Sequence, residues 1–433
     1  MTDLVVELYG RRVGTLREAR GTFDFVADAD AIAHYGIASS ILSYAVPLVS
    51  RPRSADAAVR RNFFDEVLPE GRARTRLAGN ASLAPDYTIG MLARYGRDVA
   101  GALTIFDPTA PGEPRTPHVE PIPDTEVRDI LEKVGSAPLG NRTIRRMSSL
   151  AGIQDKIVLV RVDGGWGEPV DGFASTHILK PVVGRYPSLI FDEEYAARIA
   201  RHIGLAEHST TVENVAGLSA LVIERYDRAP DAPNGRLHQE DFNQILGMAG
   251  DGKYESHGHP GLGAIARVLR ERIGPAAVEQ LLRLTTLSLA VGNLDMHAKN
   301  ISVMHLPNGS ARLAPAYDVV PQLHLDFDRE FAFRINDTSA FDEIGFLDVA
   351  AEASRWGVRD PEPIIEATAT AVRDFARSEP PLPGAHHSLA EEIERTAQSL
   401  LDSPENPPVR GRASAIDRSL PNSPGGWGGP VRR

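Results

Sequence analysis

The sequence predicts an α+β fold with two lobes, in which a strand-rich part precedes a helical part. The first residues alternate apolar and polar side chains around tight turns, as antiparallel strands do. Short β-branched runs dominate residues 147–228, and long helical patterns dominate from about residue 238 onward. The chain has 433 residues, which exceeds what one hydrophobic core usually supports, so more than one domain is expected.

The amino-terminal segment is predicted to form a compact α+β subdomain over residues 1–107. LVVELYGRRVGTLREARGTFDFVAD has the pattern of β-hairpins, Arg-rich helical sequence follows, and ALTIF is a predicted strand. Residues 108–147 are predicted to be a connector and a short helix. Six prolines lie between positions 107 and 123, and DTEVRDILEKVG follows them as the helix.

Residues 148–235 and 236–402 are the predicted strand-rich and helical lobes. Strands are expected in KIVLVRV, STHILKP and SALVIERYD, and a helix is expected in DEEYAARIARHIGL. Helical patterns then occupy EDFNQILGMAG, GAIARVLRERI, AAVEQLLRLTTLSLAVG and LAEEIERTAQSLL. Residues 403–433 are rich in Pro, Gly, Ser and Arg and are predicted to be a disordered tail.

The composition narrows the class of protein. A content of 42% hydrophobic and 24% charged residues is typical of globular proteins. The chain shows neither a basic-then-apolar leader nor an uncharged run long enough to span a bilayer, so we expect a cytoplasmic protein with no membrane association. The absence of cysteine excludes disulfides and thiolate metal sites. The net charge of -11 argues against a non-specific nucleic-acid binder.

Lysine is scarce, with five lysines against 42 arginines. A compact ammonium group on a flexible side chain is not interchangeable with a guanidinium group at a phosphate-binding position. The few lysines that remain are therefore candidates for such positions. Four of them, Lys156, Lys180, Lys253 and Lys299, lie in polar motifs. This distribution suggests a site that handles phosphate.

The stretch GNLDMHAKNISV carries the strongest chemical signal. Asp295 and Asn300 form D-x-x-x-x-N, the spacing that a protein-kinase catalytic loop uses for its base and one Mg²⁺ ligand. Asp318 follows 23 residues later and is expected to be the second metal-binding carboxylate. Lys180 ends a predicted strand and Glu194 lies on the next helix, as a strand-lysine and helix-glutamate pair would.

Each of these signals is weak in isolation. Asp295 alone is more typical of a turn carboxylate, and His297, which has no other His or Cys ligand nearby in the sequence, is more typical of a structural histidine. Their order, spacing and lobe context together favour phosphoryl transfer.

A run of ordered motifs resembles the HipA family, the serine/threonine-kinase toxins of HipA–HipB toxin–antitoxin modules. The motifs are SSLAGIQDKIVLV, THILKP, EEYAARIA, LVIERYDR, LHQEDFNQILG, GKYE, GNLDMHAKNISV and APAYDVV. LYGRRVGTL and SYAVPL resemble the small amino-terminal subdomain of the same family, so the resemblance covers roughly residues 3–400. It implies a distant protein-kinase-like fold that binds ATP and Mg²⁺.

The resemblance also implies a role for particular residues. Asp295 resembles the catalytic aspartate, Asn300 and Asp318 the metal ligands, and Lys180 the ATP-phosphate lysine, with Glu194 as its supporting partner. The other implied nucleotide-binding residues are Ala151, Gly152, Ile153, Gln154, Asp155 and Lys156 of the loop AGIQDK, Glu224 and Tyr226 near the adenine, and His297 and Lys299 of the catalytic loop.

Ser149 matches the serine that such kinases autophosphorylate, and the adjacent Ser148 leaves the assignment between the two open. A phosphate of about −2 charge beside the ATP phosphates would be repelled, which would expel the loop and switch the enzyme off.

The implied function is that of a kinase toxin. Such a protein phosphorylates a component of translation, such as an aminoacyl-tRNA synthetase, and is restrained by a small helix-turn-helix antitoxin of the HipB type, through which it mainly reaches DNA. Two alternatives stay open: a small-molecule kinase resembling aminoglycoside phosphotransferases, and a catalytically silent co-repressor subunit of a DNA-binding complex. AGIQDK and LHQEDF favour the toxin family over the first, and the set of lysine, base and metal ligands argues against the second.

Overall fold

The computed structural model describes residues 3–19, 21–141, 145–150, 154–255 and 259–402. The chain divides into two compact units, each built from separate stretches of sequence. The first unit contains the chain up to Pro181 together with His208–Asp251 and Ser302–Ala314. The second unit contains Val182–Glu207, Gly252–Ile301 and the chain from Pro315 onward. The predicted tail, residues 403–433, lies outside the described residues.

The secondary structure mixes strands and helices along the described chain. The strands are β1 (Leu4–Leu8), β2 (Arg11–Ala19), β3 (Thr22–Ala27), β4 (Leu103–Phe106), β5 (His118–Ile122), β6 (Ile157–Val162), β7 (Gly165–Val170), β8 (His177–Pro181), β9 (Thr210–Val215), β10 (Leu218–Glu224), β11 (His238–Asp241), β12 (Ser302–His305), β13 (Ala311–Leu313), β14 (Glu330–Ile335) and β15 (Thr338–Ala340). The helices are α1 (Ala29–Tyr35), α2 (Ala57–Asp65), α3 (Gly71–Asn80), α4 (Thr88–Tyr95), α5 (Asp124–Glu132), α6 (Leu189–His202), α7 (Phe242–Ile245), α8 (Leu262–Arg272), α9 (Pro275–Val291), α10 (Phe346–Arg355), α11 (Pro361–Ser378) and α12 (Leu389–Leu401).

The predicted amino-terminal hairpins form an antiparallel sheet in the first unit, in the order β3-β2-β1-β4. One face of this sheet supplies Val6, Leu16 and Phe25 to a hydrophobic core. Phe63 of α2 and Leu92 of α4 are buried in the same core. The alternation in the sequence therefore predicted the strands, and the structure shows which of their residues are buried.

A larger sheet in the first unit has the order β5-β7-β6-β8-β10-β9, and its predicted strands β6, β8 and β10 are confirmed. The connector predicted for residues 108–147 is more ordered than a linker, because β5 pairs with β7 along one edge of this sheet. An edge strand tolerates a proline without an N–H group, so Pro121 fits opposite Gly167. Helix α5 packs against this sheet, and its Ile130 is buried in the same core cluster as Leu159.

The helix predicted from about residue 238 was partly wrong. Residues His238–Asp241 form β11, which pairs with β12, and only the four residues of α7 follow as helix. The reason is local, because the Asp241 carboxylate accepts from Gln244 N and the Gln244 side chain bonds back to Asp241 N. This capping box places the start of the helix at Phe242.

The second unit contains α6, α8 to α12 and the hairpin β14–β15. Helix α9 is buried along most of its length and packs against α11 and α12. It ends at Gly292, whose φ of 72° is left-handed and favours glycine. Among the described helices, none combines the length and the apolar composition that a membrane crossing requires.

Candidate active site

The polar loop that the sequence singled out begins directly after α9, in the second unit. Leu294 N donates to Gln322 Oε1 at 3.1 Å, and Gln322 N donates to Gly292 O at 3.0 Å. Asp295 N donates to Asn293 Oδ1 at 3.2 Å. These bonds replace the helical ladder that stops at Gly292, so the loop has a defined path and does not fray from the helix end.

The Asp295 carboxylate is oriented by two neighbours and stays accessible. Tyr254 Oη donates to Asp295 Oδ1 at 3.0 Å, and His297 Nε2 lies 3.9 Å from Asp295 Oδ2. The rings of Tyr254 and His297 pack edge to face, with centroids 5.2 Å apart. The side chain of Asp295 is 30% exposed, so the carboxylate can receive a hydroxyl group from another molecule. His297 is therefore a neighbour of the predicted catalytic residue and not a separate site.

Asn300 is held so that its amide oxygen is left for another partner. Asn300 Nδ2 donates to Asp295 O at 2.8 Å, and Asn300 N donates to His297 O at 2.8 Å. The bond to Asp295 O fixes the orientation of the amide and leaves Oδ1 as its acceptor atom. The spacing D-x-x-x-x-N thus corresponds to a direct contact across one turn of the loop.

Asp318, the second predicted metal ligand, has a left-handed backbone with φ 54° and is half-buried. Its neighbour Tyr317 donates from Oη to Lys299 O at 2.7 Å, which ties the chain beside Asp318 to the residue before Asn300. An amide oxygen and a carboxylate are hard donors of the kind that Mg²⁺ takes alongside water and phosphate. The donor chemistry therefore fits the predicted cation.

The residues predicted to meet the ATP phosphates lie in the first unit. Lys180 is 3% exposed in β8, which has neighbours on both sides in the sheet, β6 and β10. Lys156 lies just before β6, and Lys156 O accepts from Leu139 N at 2.9 Å. Gln154 Nε2 is buried and has no hydrogen-bond partner among the residues that the structure describes, and Asp155 is exposed. The remaining predicted members of this loop, Ala151, Gly152 and Ile153, lie outside the described residues.

The predicted adenine-side residues follow at the end of β10. Glu224 is exposed, and its carboxylate accepts from Ser209 N at 3.2 Å. Tyr226 is half-buried and donates through its hydroxyl to Gln239 Oε1. The Tyr226 hydroxyl is therefore engaged by the fold.

Glu194 lies on α6 in the second unit, whereas Lys180 lies in the first, and their pairing stays a prediction. The Glu194 side chain is 6% exposed, and its Oε1 lies 3.9 Å from Arg198 Nε. Burial raises the pKa of Glu194, and Arg198 and Arg201 offset part of that effect.

Neither candidate phosphorylation serine lies at the surface. Ser148 and Ser149 are 3% and 0% exposed. Ser148 Oγ donates to Asp98 Oδ2 at 3.0 Å, and Ser149 Oγ donates to Val67 O at 3.1 Å. Ser149 N also donates to Asp98 O at 2.8 Å. Phosphorylation of either hydroxyl therefore requires the segment 145–150 to leave this position.

Sequence reasoning missed a buried network of charges that anchors this segment in the first unit. Arg225 binds Asp227 through two hydrogen bonds of 3.0 and 2.7 Å, and Arg228 bridges Asp227 and Asp98 at 3.0 Å each. Arg236 Nη1 lies 3.6 Å from the same Asp98. Burial alone would raise the pKa of Asp98, but these three arginines hold the pKa below its usual value. The motif ERYDR was the available signal, but its partner Asp98 lies far away in the sequence.

Two family models match the chain. The model described as the HipA N-terminal domain matches residues 4–106, and the model described as the HipA-like C-terminal domain matches residues 148–376. The proposed kinase Y4mE of Sinorhizobium fredii NGR234 is 35% identical over 300 residues, which cover 66% of this chain and 71% of that protein. The serine/threonine-protein kinase toxin HipA of Shewanella oneidensis MR-1 is 27% identical over 347 residues, which cover 75% and 78%.

A solved structure has the same fold. It is the complex of HipA, HipB and operator DNA from Shewanella oneidensis MR-1, in which the matching chain has a TM-score of 0.74 and 23% identity. The match covers 92% of this chain and 96% of that chain. The predicted kinase-like α+β fold is therefore confirmed.

Proposed function

Because the chain belongs to the HipA family, we propose that it is an ATP- and Mg²⁺-dependent serine/threonine protein kinase that acts as a toxin in the cytoplasm. The kinase names of the relatives support the class of reaction. The observation that carries the proposal is the catalytic loop, where Asp295 is oriented by Tyr254 and Asn300 is bonded to the Asp295 backbone.

Each proposed site residue has a separate role in phosphoryl transfer. Asp295 accepts a hydrogen bond from a substrate hydroxyl and orients it for attack. Asn300 and Asp318 would hold Mg²⁺, and Lys180 would meet the nucleotide phosphates. When bound, ATP and Mg²⁺ supply an activated phosphoryl group whose charge is partly neutralised. Positioning and charge compensation, and not covalent chemistry by the protein, account for the rate.

The proposed partners follow from the family. A small helix-turn-helix antitoxin of the HipB type would restrain the kinase and connect it to operator DNA. The fold match is to a chain solved together with HipB and operator DNA, which supports this assignment. The proposed substrate is a protein of translation, such as an aminoacyl-tRNA synthetase.

Autophosphorylation of Ser149, or of Ser148, is the proposed off-switch. Both hydroxyls are hydrogen-bonded within the first unit, Ser148 to the anionic Asp98 carboxylate and Ser149 to the Val67 carbonyl oxygen. A phosphoryl group on Ser148 would place about two negative charges against the Asp98 carboxylate, and one on Ser149 would place them in a fully buried position against the Val67 carbonyl oxygen. In either case the modified segment could not return to this position.

The test is incubation of the purified chain with labelled ATP and Mg²⁺, followed by peptide mapping. We expect label on the peptide that contains Ser148 and Ser149, and loss of label in Asp295→Asn. Glu366→Gln, which changes an exposed carboxylate on α11, is the matched control and should label normally.

Three outcomes would contradict the proposal in different ways. Absence of label and of Mg²⁺-dependent ATP binding in a folded wild type would favour the silent co-repressor. Transfer only to a small hydroxylated compound, with no labelled protein, would favour the aminoglycoside-type enzyme. Label that persists in Asp295→Asn would remove that residue from catalysis.

A further inference from the structure

Two side chains join separate stretches of the second unit, the polar loop after α9 and the segment that contains Asp318. Tyr317 Oη donates to Lys299 O at 2.7 Å, and Leu294 N donates to Gln322 Oε1 at 3.1 Å. We call these contacts the Tyr317 tie and the Gln322 tie. Both lie within one compact unit, so they belong to a single body of the protein.

The two ties hold the loop and the segment side by side in opposite directions. Along the loop Leu294 precedes Lys299, whereas along the segment their partners occur in the reverse order, Tyr317 before Gln322. The two tied residues are equally far apart in the sequence of each stretch. Gln322 N also donates to Gly292 O at 3.0 Å, so the Gln322 tie uses both the backbone and the side chain of one residue. The ties therefore close a frame, and neither stretch can slide along the other without breaking one of them.

The Tyr317 tie joins the residues that come directly before the two proposed metal ligands. Tyr317 precedes Asp318 and Lys299 precedes Asn300, so one hydrogen bond fixes the separation of the two ligand-bearing stretches of backbone. The Asp318 backbone has φ 54°, a left-handed conformation that persists in a residue other than glycine only when its surroundings support it. The separation of two ligands matters to Mg²⁺, because this ion requires short bonds in nearly ideal geometry.

The Gln322 tie acts at the residue directly before Asp295. Gln322 is 4% exposed and Leu294 is 6% exposed, so water cannot readily replace the amide oxygen as the acceptor of Leu294 N. Leu294 O accepts from Ala332 N at 3.0 Å, which holds the same peptide stretch from its other side. The position of the Asp295 backbone is therefore set through Gln322, at the end of the frame away from the Tyr317 tie.

We propose that Tyr317 and Gln322 are positioning residues with separate roles in one site, an inference that rests on the proposed function. Tyr317 sets the separation of Asn300 and Asp318, and thereby the affinity for the metal ion. Gln322 sets the position of Asp295, and thereby the rate of transfer once metal and nucleotide are bound. Each acts through the backbone that it holds and not by contact with the reacting groups.

The first test is binding of Mn²⁺, which replaces Mg²⁺ at oxygen ligands and is paramagnetic. Electron paramagnetic resonance measures free Mn²⁺ in the presence of the full chain and a non-hydrolysable ATP analogue. We expect Tyr317→Phe to weaken Mn²⁺ binding by about 10- to 100-fold, and Gln322→Met to leave it unchanged. Tyr195→Phe is the matched control, because Tyr195 Oη also donates to a backbone carbonyl of the second unit, Glu379 O, at 2.6 Å. This variant should bind Mn²⁺ as the wild type does.

The second test measures the rate constant of autophosphorylation at saturating Mg²⁺ and ATP. We expect Gln322→Met to lower it by about 10- to 100-fold, because a displaced Asp295 orients the hydroxyl poorly. Tyr317→Phe should recover most of the wild-type rate when Mg²⁺ is raised. Gln398→Met, which removes an acceptor on α12, is the control and should react at the wild-type rate.

Hydrogen exchange checks the Gln322 tie without reference to activity. The amide of Leu294 should exchange faster in Gln322→Met and at the wild-type rate in Tyr317→Phe. If Gln322→Met fails to fold, the metal affinity of Tyr317→Phe still tests the inference, because the two roles are predicted separately.

Three outcomes would overturn the inference. They are unchanged Mn²⁺ affinity in Tyr317→Phe, equal losses of affinity and rate in both variants, and a loss of affinity in Tyr195→Phe as large as in Tyr317→Phe. A wild type that neither binds Mn²⁺ nor transfers phosphate would contradict the proposed function. A wild type that does both, with variants that do not separate the two quantities, would contradict this inference alone.

Discussion

Ser148 Oγ donates a hydrogen bond to Asp98 Oδ2 over 3.0 Å, in a place from which solvent is almost excluded. Asp98 is also the shared partner of Arg225, Arg228 and Arg236. The segment proposed for autophosphorylation is thus attached to a buried network of two carboxylates and three guanidinium groups. Release of that segment and disturbance of the charges around Asp98 are expected to be linked.

Replacement of Ser149 by aspartate should release the segment 145–150. The Ser149 side chain is fully buried against Val67 O, and a carboxylate there would face an acceptor oxygen that cannot compensate its charge, at a cost of roughly 3–5 kcal/mol. Hydrogen exchange at the amide of residue 149, which now donates to Asp98 O, should become much faster. Ser310→Asp, at an exposed loop position, should leave this amide protected, and equal protection in both variants would refute the idea.

Asp98→Asn should destabilise the protein strongly. The substitution keeps the shape but leaves three buried arginines with Asp227 as their remaining carboxylate in the network, so we expect a loss of about 3–5 kcal/mol in the free energy of unfolding. Urea denaturation measures this change. Glu213→Gln breaks a surface ion pair with Arg161 and serves as the comparison, with an expected loss below about 1 kcal/mol.

Acid should destabilise the protein through His238. His238 Nε2 donates to Leu42 O at 2.7 Å, and burial, followed by the nearby His305, lowers the pKa of His238 to about 3. Between pH 6.5 and about 3 the unfolded chain binds a proton that the folded chain does not, so this contribution is complete above pH 6.5 and is lost as the pH falls. The expected slope is up to about 1.4 kcal/mol per pH unit.

Denaturation midpoints at pH 7.5, 6.5 and 5.5 check this expectation. His238→Asn should flatten the dependence, although His177 and His386, whose pKa values burial also lowers, should leave a residual slope. His34→Asn, at an exposed position, should keep the wild-type slope. An unchanged slope in His238→Asn would assign the acid sensitivity to other groups.

Tyr254→Phe should reduce phosphoryl transfer without preventing nucleotide binding. The change removes the donor at 3.0 Å from Asp295 Oδ1 and leaves the ring against His297. Because the carboxylate is partly exposed, we expect a three- to tenfold lower kcat, equivalent to about 0.7–1.4 kcal/mol, with KM for ATP nearly unchanged. Steady-state kinetics separate the two constants, and Tyr87→Phe in the first unit should behave as the wild type does.

The sequence predicted features that are encoded within a few residues of each other. The strands of the amino-terminal sheet follow from alternation, and D-x-x-x-x-N pointed to the loop in which Asn300 is now seen to bond to the Asp295 backbone. Periodicity failed at residues 238–241, where pairing with β12 and the capping box at Asp241 prevailed over the helical pattern.

Features that depend on distant residues were not predictable in this way. Asp98 and Arg225 are far apart in the sequence and come together only in the folded first unit, and His324 and Glu392 only in the folded second unit. No local sequence pattern predicts either of these contacts. The burial of Ser148 and Ser149 belongs to the same category, because it is set by Asp98 and Val67.

The buried charges around Asp98 also limit which amino-acid substitutions can accumulate in this sequence during evolution. The carboxylates of Asp98 and Asp227 each form ion pairs with more than one guanidinium group. Replacement of Asp98 or of Asp227 therefore alters the environment of several arginines at once. A neutral path between two viable sequences therefore needs concerted changes at two or more of these positions. Single substitutions are expected to accumulate at the residues around this network and not at its charged positions.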